Sequence, residues 1–68
     1  MDVTARTMPD GRSHLVSLPP AAVAGDLVRA LDMPTAACLV LRGARPVPID
    51  EPLADGDVLE VVYVASGG

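Results

Sequence analysis

The stretch LADGDVLEVVYVASGG, residues 53–68, decides the fold. Asp55-Gly56-Asp57 reads as a tight turn, because glycine accepts a positive φ and aspartate tolerates turn geometry. Val58 to Val64 follows as the strongest strand pattern in the chain. Alternation puts Leu59, Val61 and Tyr63 on one face and Glu60, Val62 and Val64 on the other. Glu60 belongs in solvent, so the first set is expected to pack on a helix, leaving Val62 and Val64 partly exposed. Ala65-Ser66-Gly67-Gly68 has no further element to join. The expected organisation is one domain over residues 1–64 and a flexible tail over 65–68.

Upstream, Ala37 to Arg42 is an apolar strand-like run closed by Gly43-Ala44. Glycine at the first central position suits a type II′ two-residue hairpin. The return strand, Arg45 to Val47, is kept short and at an edge by Pro46 and Pro48. Residues 22–32 carry helical spacing, with Val23, Leu27, Val28 and Leu31 near one face and Asp26 and Arg29 away from it. Asp26 suits the positive end of the helix dipole, whereas Gly25 is expected to cost about 1 kcal/mol. Pro19-Pro20 precedes this helix and Met33-Pro34 ends it. Before it, Asp2 to Met8, the turn signal Pro9-Asp10-Gly11 and His14 to Leu18 form a hairpin pattern. Two strands, a helix, a hairpin and a last central strand make an α+β fold of the β-grasp kind. It has a mixed four- to five-stranded sheet packed on one helix.

Composition narrows the function. Sixty-eight residues make a single domain, and one this small buries only about 60% of its unfolded surface. Its apolar residues are nearly all Val, Leu and Ala, with Tyr63 the sole aromatic. One cysteine, Cys38, and one histidine, His14, rule out a disulfide framework and a multi-cysteine zinc site. The net charge is −4 and the basic residues are five scattered arginines, which argues against direct nucleic acid binding and favours a basic protein partner. No apolar run approaches the about 20 residues of a membrane span, and no charged-then-apolar leader opens the chain. A cytoplasmic location is expected. Lysine is absent; either a GC-rich genome favours arginine codons, or an activated terminus gains from having no side-chain amine nearby.

DLVRALD (26–32), RPVPID (45–50), L-x-DGD (53–57), LEVV (59–62) and the final SGG together resemble the ubiquitin-like sulfur carriers and small archaeal modifier proteins. That group includes ThiS, MoaD and TtuB. The resemblance spans residues 22–68, and the N-terminal hairpin matches in position and length. It implies a protein that is not itself an enzyme, binds no cofactor and acts as a monomer. An E1-like activating enzyme would use ATP to adenylate the carboxylate of Gly68. Sulfur from a persulfide donor would then give a thiocarboxylate for a tRNA 2-thiolation enzyme, or a target-protein lysine would form an isopeptide bond, as in sampylation. The same resemblance admits a thiamine sulfur carrier, or the small subunit of molybdopterin synthase, whose large subunit would receive the tail. Tyr63-Val64-Ala65 departs from the Pro-rich or aromatic approach common in molybdopterin synthase subunits. Val23 stands where relatives commonly place a helix-capping Thr. A β-grasp interaction module without acyl chemistry is the other class.

The tail chemistry has a physical basis. Without Cβ atoms, Gly67 and Gly68 reach backbone conformations closed to other residues and can thread a narrow channel. Ser66 and Gly67 are therefore the expected points of tail recognition, and Gly68 the attachment point. Val62 and Val64 are the expected docking patch for the activating enzyme. Arg42 and Arg45 flank the hairpin turn, where they meet an acidic partner surface or are simply solvated. Cys38 is expected to be a small buried hydrophobe and His14 a surface strand residue. Asp50, Glu51, Asp55 and Asp57 fall in turns.

Overall fold

Alternation in the first strand builds the sheet. The computed structural model describes residues 1–64, and in β1 (Asp2–Met8) Val3, Ala5 and Thr7 are buried while their neighbours face outward. β1 pairs antiparallel with β2 (Arg12–Ser17), from Asp2 opposite Ser17 to Thr7 opposite Arg12. The helix α1 (Ala24–Ala30) and a short 3-10 turn (Thr35–Ala37) lead to β3 (Cys38–Arg42), β4 (Arg45–Val47) and β5 (Val58–Tyr63). The five-stranded sheet runs β2-β1-β5-β3-β4. β1 and β5 are parallel at its centre, and the other neighbouring pairs are antiparallel.

One face of this sheet packs on α1. Val3, Ala5, Val40, Leu59 and Val61 meet Ala24, Leu27 and Val28, with Leu18, Ala22 and Leu53 closing the margins. Small side chains fill this core because a seven-residue helix brings little surface to it. Among the described residues, no helix is long and apolar enough to cross a membrane.

The helix is held by its ends. Val23 is the N-cap and offers no side-chain acceptor; instead its N–H donates to Asp26 Oδ2 at 2.9 Å. Ala24 and Gly25 donate their N–H groups to Glu51 O (2.9 Å) and Ile49 O (2.7 Å), so the loop before β5 satisfies the first turn. At the other end Asp32 adopts φ 59°, with Asp32 N–H on Arg29 O (2.9 Å) and Met33 N–H on Val28 O (3.1 Å), a Schellman close. The helix is thus shorter than the 22–32 spacing predicts: Ala22 sits before the cap and Leu31 is the C-cap.

Two further expectations change. Gly25 is a close-approach residue as well as a propensity cost, since a Cβ there would stand 3.2 Å from the Ile49 carbonyl oxygen. The 43–44 hairpin is type I′, not II′: Gly43 has φ 57° and Ala44 φ 65°. The right-handed twist of the flanking strands favours positive φ at both positions, and it imposes that geometry on Ala44.

Candidate functional site

β5 carries the C-terminal segment, and it lies between β1 and β3. Opposite the helix, its outward residues form a patch. Val62 is flanked in register by Met8 on β1 and Leu39 on β3, and Leu39 is 42% exposed. Val62 itself is half-buried, while Val64 is 53% exposed. The ladder runs one residue past the strand, because Val64 N–H donates to Ala37 O at 2.8 Å. This aliphatic strip therefore ends where residues 65–68 begin. Ser66, Gly67 and Gly68, the expected recognition and attachment points, lie outside the described residues.

Tyr63 does not pack under the helix as its alternation suggests, and is 44% exposed. Seven residues of helix span about 10 Å and seven of strand about 23 Å. Among the described residues, α1 consequently stops short of the inner face at Tyr63. A cleft of about 360 Å³ remains there, its lining including Thr7, Met8, Leu31, Met33 and Tyr63. At its rim Thr7, only 6% exposed, donates its hydroxyl to Asp10 Oδ1 at 2.6 Å. That bond holds the Asp10 carboxyl below its usual range. His14 Nε2 lies 3.3 Å from the same hydroxyl oxygen, so this histidine is tied to the turn and half-buried. Cys38 is half-buried, and burial raises its thiol pKa.

Arg42 and Arg45 separate in role. Arg42 pairs with Glu51 (2.7 Å) and Asp57 (2.9 Å) and donates to Pro52 O (2.9 Å). Asp57 in turn accepts Ala54 N–H at 2.8 Å; that bond first, and Arg42 after it, lower the Asp57 pKa. These partners raise the Arg42 pKa further, and its Nε is buried without a partner among the described residues. Arg42 thus clamps β3 to the loop that feeds β5, and its guanidinium is already engaged within the fold. Local spacing gave no sign of this, because the partners lie nine and fifteen residues away. Arg45, opposite it in the hairpin, is exposed.

The sequence matches no protein-family profile and no curated protein. Solved structures match its shape. SAMP1, small archaeal modifier protein 1 of Haloferax volcanii, superposes with a TM-score of 0.76 over 100% of both chains at 22% identity. This is the ubiquitin-like β-grasp fold. The ubiquitin of Caldiarchaeum subterraneum gives a TM-score of 0.74 at 18% identity, over 100% of this chain and 98% of that one. The ubiquitin-like domain of Plasmodium falciparum Dsk2 gives 0.73 at 19%, over 93% and 96%. The expected likeness to ubiquitin-like small archaeal modifiers therefore holds at the level of fold.

Proposed function

We propose that this chain is a ubiquitin-like modifier and sulfur carrier whose reacting atom is the carboxyl carbon of Gly68. The observation that carries this reading is the aliphatic strip of Met8, Leu39, Val62 and Val64 running along β5 to the start of residues 65–68. A partner seated on that strip is well placed to receive the segment that follows it. An adenylating enzyme supplies ATP, the Gly68 carboxylate attacks the α-phosphorus, and pyrophosphate leaves. Displacement of AMP by a persulfide gives an acyl disulfide, and a thiol then releases the thiocarboxylate while forming a disulfide itself. Displacement by a lysine amine gives an isopeptide bond instead. The chain's own contribution is recognition and reach, so it is a substrate of the chemistry and not an enzyme. Its cytoplasmic partners are the activating enzyme, a sulfur donor, a tRNA-thiolating enzyme and target lysines.

Intact mass spectrometry of the protein from its native cell tests this. A fraction with one oxygen replaced by sulfur, or lysines of other proteins that carry a C-terminal peptide of this chain after digestion, is the expected result. Neither species, in cells that express the activating enzyme, contradicts it.

A further inference from the structure

Positive charge on this chain comes without a nucleophile. All five basic residues are arginines, and a guanidinium stays protonated and delocalised at physiological pH, so its nitrogens do not attack acyl groups. A lysine amine does so once it has shed its proton. Geometry does not demand arginine at most of these positions. Arg12 reaches Asp10 through one contact of 3.9 Å, and its side chain is 77% exposed. Arg29 pairs with Asp26 through one nitrogen at 2.8 Å, with its side chain 59% exposed. Among the described residues, Arg42 alone spreads its guanidinium over several acceptors: Glu51, Asp57 and Pro52 O. Lysine would serve as well at 12 and 29. Whatever codon usage brought arginine there, the chemical consequence is the same.

The other nucleophiles of the body are tied down. The α-amine of Met1 donates to Leu18 O at 2.7 Å, while Leu18 N–H returns to Met1 O at 2.8 Å. This amine is therefore a rung between β1 and the residue that follows β2. Cys38 stands opposite Tyr63 in register, beside the end of β5. It is half-buried, and burial raises its thiol pKa, so little thiolate forms to capture an acyl group.

We propose that this chain is attached to its targets as single copies and never as a chain of copies, because residues 1–68 offer no lysine and no unengaged amine to a second Gly68. The proposal rests on the isopeptide branch of the reading above. In that step the acceptor nitrogen bonds the Gly68 carbonyl carbon, AMP leaves with the electron pair of the broken anhydride bond, and the amine proton passes to solvent. A free amine on the acceptor is indispensable. A target with several lysines takes several single adducts, but no adduct adds an acceptor for the next copy. The acceptor class is lysine of other proteins, and what the modification records is position and number, not linkage.

The test is a linkage map of conjugates from the native cell. Digestion after glutamate cuts behind Glu60 and leaves residues 61–68 on the acceptor nitrogen, where mass spectrometry locates them. The wild-type chain is expected to leave this remnant on lysines of other proteins and nowhere on itself. Arg12→Lys and Arg29→Lys keep the charge at exposed positions. Each is expected to bring the remnant to the new lysine, where the wild type gives none, and to build adducts of two or more copies on one target lysine. Should one variant fail to fold, the other decides. Remnant on Met1 or on any other residue of the wild-type chain overturns the proposal and leaves the isopeptide reading standing. New lysines that stay bare while other proteins are modified overturn it too, since something other than a missing amine then limits growth. No remnant on any protein, in cells that express the activating enzyme, removes the isopeptide branch and the proposal with it.

Discussion

Replacing Ala44 with glycine separates two geometries of the same hairpin by the sign of the effect. In the type I′ turn, Ala44 is held at φ 65°, where a Cβ crowds the following carbonyl oxygen at a cost of about 1 kcal/mol. Ala44→Gly relieves that strain, less the greater entropy glycine loses on folding, for a net gain of up to about 1 kcal/mol. With 68 residues and an unfolding entropy of about 2.1 cal/mol/K per residue, 1 kcal/mol raises Tm by about 7 °C. In a type II′ turn the second central residue has a negative φ, and the same change would cost about 0.5–1 kcal/mol. Thermal melts by circular dichroism, with urea titrations to show an unchanged m-value, measure the difference. A lower Tm for Ala44→Gly would refute the type I′ assignment.

Other perturbations probe the core, the clamp and the patch. Leu59→Ala empties a fully buried position and is expected to cost about 2–5 kcal/mol, a large share of the about 3–10 kcal/mol typical of a domain this size; a loss under 1 kcal/mol in urea melts would contradict the packing. The folded pKa of Asp57 lies below its unfolded value. Its stabilisation is therefore intact above about pH 4 and is lost as the pH falls through that lower folded value. Asp57→Asn should flatten the acid limb of Tm against pH, and an unaltered limb would sink that assignment. Val62→Asp, on the open face, should change stability by under about 1 kcal/mol yet reduce the rate of activation by the cognate enzyme; an unchanged rate would remove the docking role.

The order of elements was legible because each carries a local period. Alternation marks β1 and β5, 3.6-residue spacing marks α1, and glycine or proline marks the breaks between them. Long-range partners were not legible. Leu53 looks like a loop residue, yet it closes the core and donates its N–H to Ala22 O at 3.1 Å. Gly25 looks like a helix defect until the Ile49 carbonyl is seen against it. Arg42 looks like a surface charge until the chain brings Glu51 and Asp57 to it. Tyr63 follows the buried parity of its strand, but the helix stops too soon to cover it. In the candidate site, alternation placed Val62 and Val64 on the outward face. Leu39 and Met8 joined them only through the register of β5 with both neighbours.

The central claim is that the Gly68 carboxylate is activated by adenylation. ATP–pyrophosphate exchange with the purified cognate activating enzyme tests it most directly, comparing the full chain with one lacking Gly68. The full chain should support exchange and the shortened chain should not. Equal exchange from both, or none from the full chain with an enzyme active on another substrate, would contradict the account.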